Sequence, residues 1–286
     1  MIFQATTRRY LEIFILLERV ELQFLTDGFS IIDLPEIHKF IQPALSAFER
    51  LINNAEQLGI IGHAKVRKSN NIEPEGKGWS WGCDHIYSPL LREQILLDLA
   101  SLNPLPEILQ RILGDRIRFS GGHGHWSPIN YDYYLHWHRD TRRERWHLAN
   151  LDPRSHVQVC IALKDEEVIR IVPGSHLRDL DSWEYKFITT FPHGDHPQQV
   201  VVKVPAGSVL LLNTYTFHRA QCQKETHRRC LHYGFSRIGA KPEPGRQDKF
   251  FHWLSDPNFL SKQTNFLKTC INEQILEQMI VVKGNK

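Results

Sequence analysis

The sequence predicts a mainly β domain with helices packed against it, a sandwich or barrel in outline, and three features point there. From residue 116 to 237, short runs of β-type residues recur (IRFSGG, YDYYLHWH, HVQVCIAL, VIRIVPG, QQVVVKVPAG, SVLLLN, CLHYGFS), separated by Pro, Gly and Asp. That punctuation belongs to an all-β unit with tight turns. Upstream, apolar residues fall at helical spacing over about 7–25 and 35–58 (Leu34, Ile37, Phe40, Ile41, Leu45, Phe48, Leu51, Ile52), which predicts helices that cover the β unit. No internal repeat or low-complexity linker divides the chain. One domain over 1–286 is therefore expected: a mostly helical part with a loop to 115, a β core over 116–240, and a helical extension over 241–286.

Taken in order, Asp27-Gly28 reads as a turn into a short strand, FSII. Residues 66–88 are polar, with three glycines around Trp79 and Trp81, and read as a covering loop. A helix is expected from Pro89 to about Leu113. His123 and His125, in GGHGHW, are expected in a turn at the mouth of the β unit. Arg8-Arg9 followed by LEIFILL imitates a signal peptide, but Glu12 and Glu18 interrupt the apolar run and an amphipathic helix fits better.

Composition narrows the function. At 286 residues with 41% hydrophobic and 23% charged content, the chain can bury a full core and sits at the globular average. A net charge of +3 comes from scattered Lys and Arg, without the basic stripe of a nucleic-acid binder, so no nucleic-acid partner is expected. No stretch approaches the roughly 20 apolar residues of a membrane span. The five cysteines lack any Cys-x-x-Cys pair, which fits neither a disulfide framework nor a zinc ribbon and points to the cytoplasm.

The chemistry concentrates in Trp137-His138-Arg139-Asp140, with His218 80 residues after His138 and Arg229 11 residues after that. Alternate residues of a strand share a face, so His138 and Asp140 can point the same way. Two imidazoles and one carboxylate on one side of a metal leave three positions open, which is what Fe(II) needs to take a bidentate 2-oxo acid and dioxygen. An arginine after the distal histidine can grip the second carboxylate of 2-oxoglutarate through a charge-assisted fork. A second His-x-Asp, His193-Gly194-Asp195, lies in a Pro- and Gly-rich loop and is read as loop. His136 and Glu144 stop short of a cupin motif, the spacing being one residue too long. Pro173-Gly174-Ser175-His176 is read as a turn ending a strand.

Four segments, LTDGFSII (25–32), WHRD (137–140), VIRIVPGSH (168–176) and GSVLLLNTYTFH (207–218) with the arginine after it, resemble the phytanoyl-CoA dioxygenase family of Fe(II)/2-oxoglutarate-dependent oxygenases. The resemblance implies a double-stranded β-helix (jelly-roll, cupin-like). It implies His138, Asp140 and His218 as iron ligands and catalytic residues, and Arg229 as the co-substrate arginine, with Arg228 beside it facing the other way. Tyr134, four residues before His138, is expected to contact the co-substrate. Arg219 departs from the family, which commonly has a small residue there, and is expected to put a charge near the co-substrate.

The implied reaction takes O2 and 2-oxoglutarate, with ascorbate assisting, and hydroxylates or oxidatively demethylates or dealkylates a small metabolite, giving succinate and CO2. The run Thr141–His147 follows the metal strand, so Arg142, Trp146 and His147, with His136, are the candidate substrate contacts, and they suit an anionic or zwitterionic molecule. A halogenase would need a small residue in place of Asp140. A non-catalytic 2-oxoglutarate or metabolite sensor on the same fold is the alternative from another class. A monomer or homodimer is expected.

Overall fold

The structure, a computed structural model, describes residues 2–58, 66–67, 82–127, 132–140, 152–191, 193–240 and 251–284. In chain order these form α1 (Ile2–Asp27), β1 (Phe29–Asp33), α2 (Pro35–His38), α3 (Ile41–Leu58), β2 (Val66–Arg67), β3 (Gly82–Asp84), α4 (Gln94–Asp98), α5 (Leu105–Leu113), β4 (Ile117–Trp126) and β5 (Tyr133–Tyr134). There follow β6 (His156–Ala162), β7 (Glu166–Ile171), α6 (Ser182–Thr190), β8 (Val200–Val204), β9 (Ser208–Asn213), β10 (His218–Cys222), β11 (Arg229–Arg237), α7 (Phe251–Leu254), α8 (Pro257–Leu260) and α9 (Asn265–Gly284).

The strands make two antiparallel sheets, β1-β9-β6-β11-β4-β3-β2 and β5-β10-β7-β8, the two faces of a double-stranded β-helix. β9, SVLLLN, is buried along its whole length because it runs between β1 and β6. Such uninterrupted apolar character is what a strand covered on both faces needs. Helices cover the outer face of the large sheet. Phe48 and Leu51 of α3 lie against Gly124, where an added Cβ would sit 3.4 and 3.5 Å from them. Tyr233 donates its hydroxyl to the carbonyl of Leu96 in α4, and Phe266 of α9 meets Phe235. The small sheet has its own satellite core, in which Phe187 and Ile188 of α6 pack on Trp137, Val172 and Phe217. A reciprocal capping box of Asp181 and Glu184 starts α6. No described helix is long and apolar enough to cross a membrane.

Three expectations change. The helix from Pro89 to Leu113 is two helices, because Pro104 lacks an N–H and interrupts the ladder before α5. GGHGHW is strand, not turn: β4 runs through Trp126 between β11 and β3. YDYYLHWH does not form one continuous strand; β5 has only two residues. Most of the 66–88 loop lies outside the described residues.

Candidate metal centre

Segment 137–140 is held from its outward side. The Trp137 indole N–H donates to the carbonyl of Gly194 at 2.9 Å, and the buried Arg139 donates to the carbonyls of Ser175 and Arg178 at 2.6 and 2.7 Å. With Trp137 and Arg139 fixed away from the barrel, His138 and Asp140 project into it. His218 is delivered by the turn after β9. There Asn213 Oδ1 accepts from Tyr215 N, Thr216 Oγ1 donates to Gly28 O, and Ser175 Oγ accepts from Phe217 N, at 3.0, 2.9 and 2.8 Å. Gly28 is required here: a Cβ would fall 2.3 Å from Thr216 Oγ1, and its φ is +81°. The Pro173–His176 turn thus serves as the clamp behind the distal histidine.

The three side chains converge. Asp140 Oδ1 lies 3.4 Å from His138 Nε2 and Oδ2 lies 3.8 Å from His218 Nε2, and one donor atom from each falls within 4.8 Å of the others. Among the described residues this is the one such group of His, Cys, Asp or Glu. Both imidazoles are oriented by their own backbone: Nδ1 of His138 donates to His136 O at 2.9 Å, and Nδ1 of His218 to Thr216 O at 2.8 Å. With the proton on Nδ1, each Nε2 lone pair faces Asp140, the tautomer a metal ligand needs.

Electrostatics agree. Burial alone would raise the Asp140 pKa, but the charges of His218 and His138 hold it well below the usual carboxylate range. Burial and the neighbouring His138 push His218 down to about 4. Burial opposes protonation of His138 too, yet its hydrogen bond and charge interaction with Asp140 raise it above 6.5. An ionised carboxylate and neutral imidazole nitrogens suit a divalent cation, with the open positions of a facial triad.

The remaining candidates fall on different sides of the barrel. Tyr134 pairs with Gln221, so it shares a face with Gln221 and Arg219 rather than with His218. Its hydroxyl donates to Asp132 Oδ2 at 3.3 Å and its ring meets His193. The same-face expectation for Tyr134 fails for a definite reason. An unbroken ladder from Tyr134–Gln221 would set His138 opposite Phe217, but His138 bridges His218, and this one-residue slip reverses the parity. Arg219 likewise points outward, at 2.6 Å from Asp195 Oδ1 and donating to His193 O. The second His-x-Asp is therefore part of an outer-face anchor.

In β11, Leu231, Tyr233 and Phe235 face the helices, while His232 faces inward, with Gln158 Nε2 2.6 Å from its Nδ1 and the His125 ring at 4.2 Å. Arg229 has the helix-facing parity: its guanidinium pairs with Glu49 of α3 at 2.7 Å. Arg228 has the inward parity. Its Nε donates to Glu166 Oε2 at 2.9 Å, and its Nη2 lies 3.4 Å from His232 Nε2. The placement is thus the reverse of the one expected for the two arginines. The His136 ring lies 5.8 Å from that of His138. Arg142, Trp146 and His147 lie outside the described residues. Sequence reasoning missed Glu166 and Gln158: the first sits in a charged run, KDEE, that reads as exposed turn.

A double-stranded β-helix whose interior holds a His-x-Asp and a distal histidine defines a non-heme iron, 2-oxoglutarate-dependent oxygenase. The chain belongs to the phytanoyl-CoA dioxygenase (PhyH) family, whose sequence model matches residues 73–230. No curated protein sequence matches the chain. Among solved structures the fold is similar to AviO1 from Streptomyces viridochromogenes Tue57 (19% identity, 79% of this chain and 97% of that one, TM-score 0.59). It is also similar to HygX from Streptomyces hygroscopicus, solved with nickel and 2-oxoglutarate bound (16%, 77% and 87%, 0.56). A third is EctD from S. alaskensis, solved with bound Fe (17%, 79% and 78%, 0.53).

Proposed function

We propose that the protein hydroxylates, or oxidatively demethylates or dealkylates, a small polar metabolite at this centre, with conversion of 2-oxoglutarate to succinate and CO2. The observation that carries the reading is the convergence of His138, Asp140 and His218 within 4.8 Å, with a buried arginine on the same interior face of the barrel. Ferrous iron held there would supply the activation of dioxygen for C–H oxidation. The chain's own residues do the rest. His138 and His218 present Nε2, Asp140 supplies the anionic donor, and the Nδ1 hydrogen bonds keep both rings from turning.

Arg228, rather than Arg229, is proposed to take the distal carboxylate of the co-substrate. Its inward parity immediately before β11 supports this, and its fork can make two charge-assisted hydrogen bonds of about 1.5–3 kcal/mol each. Arg142, Trp146, His147 and His136 remain the proposed substrate contacts, with an anionic or zwitterionic substrate in view. Five cysteines, all free and buried, support a reducing, cytoplasmic setting.

The test is a panel of small anionic, zwitterionic and neutral metabolites incubated with protein, Fe(II), 2-oxoglutarate, ascorbate and O2, reading succinate and product mass together. A metabolite that raises succinate and gains one oxygen, or loses an alkyl group, is the expected result. Succinate that no small polar metabolite stimulates would count against the substrate class.

A further inference from the structure

Glu166 opens β7 and is buried together with its partner: the side chains of Arg228 and Glu166 are 1% and 2% exposed. Only Oε2 is engaged by the guanidinium, and the buried Oε1 has no hydrogen-bond partner. Such a pair is a poor device for stability, because removing both charges from water costs as much as their attraction returns, and an orphaned carboxylate oxygen adds to the cost. The pair also has a direction. Glu166 holds the Nε side of the guanidinium, while Nη2 lies against His232 on the inward face of β11. Glu166 is also among the residues that line a cleft of about 420 Å³, with Asp165, Glu167, Lys203, Val204 and Pro205. Glu166 therefore joins the interior arginine to the wall of that cleft.

We propose that Glu166 determines co-substrate affinity as a built-in competitor: it holds Arg228 in the absence of the 2-oxo acid and opposes binding of that acid's distal carboxylate. The inference rests on the reading that Arg228 receives this carboxylate. A dianionic co-substrate meets a neutralised pair rather than a free cation, so its second carboxylate adds little to binding until Glu166 withdraws towards the cleft. A 2-oxo acid that lacks the second carboxylate does not contend with Glu166. The effect of Glu166 is therefore selective for the distal charge, which a merely structural role would not produce.

The experiment measures, anaerobically and with Ni(II)-loaded protein, the Kd of 2-oxoglutarate and of 2-oxopentanoate for wild type, Glu166→Gln and Arg228→Gln. In Glu166→Gln the Kd of 2-oxoglutarate should fall about tenfold, the contribution of roughly one charge-assisted contact, while that of 2-oxopentanoate stays unchanged. An unchanged or higher Kd for 2-oxoglutarate, or equal shifts for both acids, would overturn the proposal. If Glu166→Gln fails to fold, wild type decides: the two acids should differ by less than about tenfold, and a difference beyond about a hundredfold rejects competition. Failure of the underlying reading is distinct, since Arg228→Gln would then bind 2-oxoglutarate as wild type does.

Discussion

The main chains of His138 and His218 pair directly, each N–H donating to the other's carbonyl, at 2.9 and 3.0 Å. This single bridge sets the two imidazole rings 4.4 Å apart between centroids and joins the start of β10 to a segment otherwise anchored by Trp137 and Arg139. Two of the three candidate ligands are thus preset by backbone, and binding of an ion should be read out as global stability.

Divalent metal should therefore stabilise the fold through the triad. At a free Ni(II) or Mn(II) concentration of about 100 times Kd, linkage gives about 2.7 kcal/mol, a Tm rise of roughly 4–5 °C for a chain of this size. Differential scanning fluorimetry should show the rise in wild type and its loss in Asp140→Ala.

Metal affinity should weaken as pH falls, in two stages. Protons compete for the ligand nitrogens. His138, whose pKa is raised by Asp140 against the opposing effect of burial, gains a proton first, while His218, pushed down to about 4 by burial and by His138, follows only in acid. A titration of Mn(II) Kd against pH should show a first weakening from His138 well before a second near pH 4 from His218; a flat profile down to pH 5 would contradict the assignment.

Arg228, just before β11, and Arg229, which opens it, should separate cleanly. Arg228→Gln should raise the KM for 2-oxoglutarate, since the contact to its distal carboxylate is lost and the buried Glu166 carboxylate is left unpaired beside it. Arg229→Gln removes a half-exposed ion pair with Glu49, worth about 0–1 kcal/mol, and should leave KM near wild type. Steady-state succinate assays on both variants decide the matter.

Acid should also loosen the small sheet through Glu184. Burial works to raise its pKa, but hydrogen bonds from Arg178 and the Asp181 backbone, with His196 Nε2 3.4 Å away, outweigh burial and bring it from 4.5 down to about 2. A depressed folded pKa contributes stability that is present above about pH 4.5 and is lost as pH falls toward 2, on the order of 3 kcal/mol in all. Urea unfolding between pH 5 and 2.5 should show a steeper loss in wild type than in Glu184→Gln.

Much of this was legible in the residues. Six of the seven β-type runs lie on strands while YDYYLHWH gives only the two residues of β5, and the triad was readable because His-x-Asp carries its own parity and the distal histidine follows a buried run, SVLLLN. Tyr134 was not readable: a one-residue slip between β5 and the His138 bridge leaves no mark in sequence, and it inverts every same-face argument across it. The arginine pair was readable in principle. Leu231, Tyr233 and Phe235 are the residues that helices cover, so His232 and Arg228 belong to the polar interior. The KDEE run gave no sign that Glu166 is buried, because its environment is made by β8 and β11, distant in sequence. β10 was hidden by its polar composition, HRAQC.

The most direct test is succinate formation by protein purified anaerobically, loaded with Fe(II) and 2-oxoglutarate, and then exposed to O2, for wild type beside Asp140→Ala. The triad as the catalytic metal centre predicts succinate from wild type and none above the protein-free background from the variant. Equal succinate from both would contradict it.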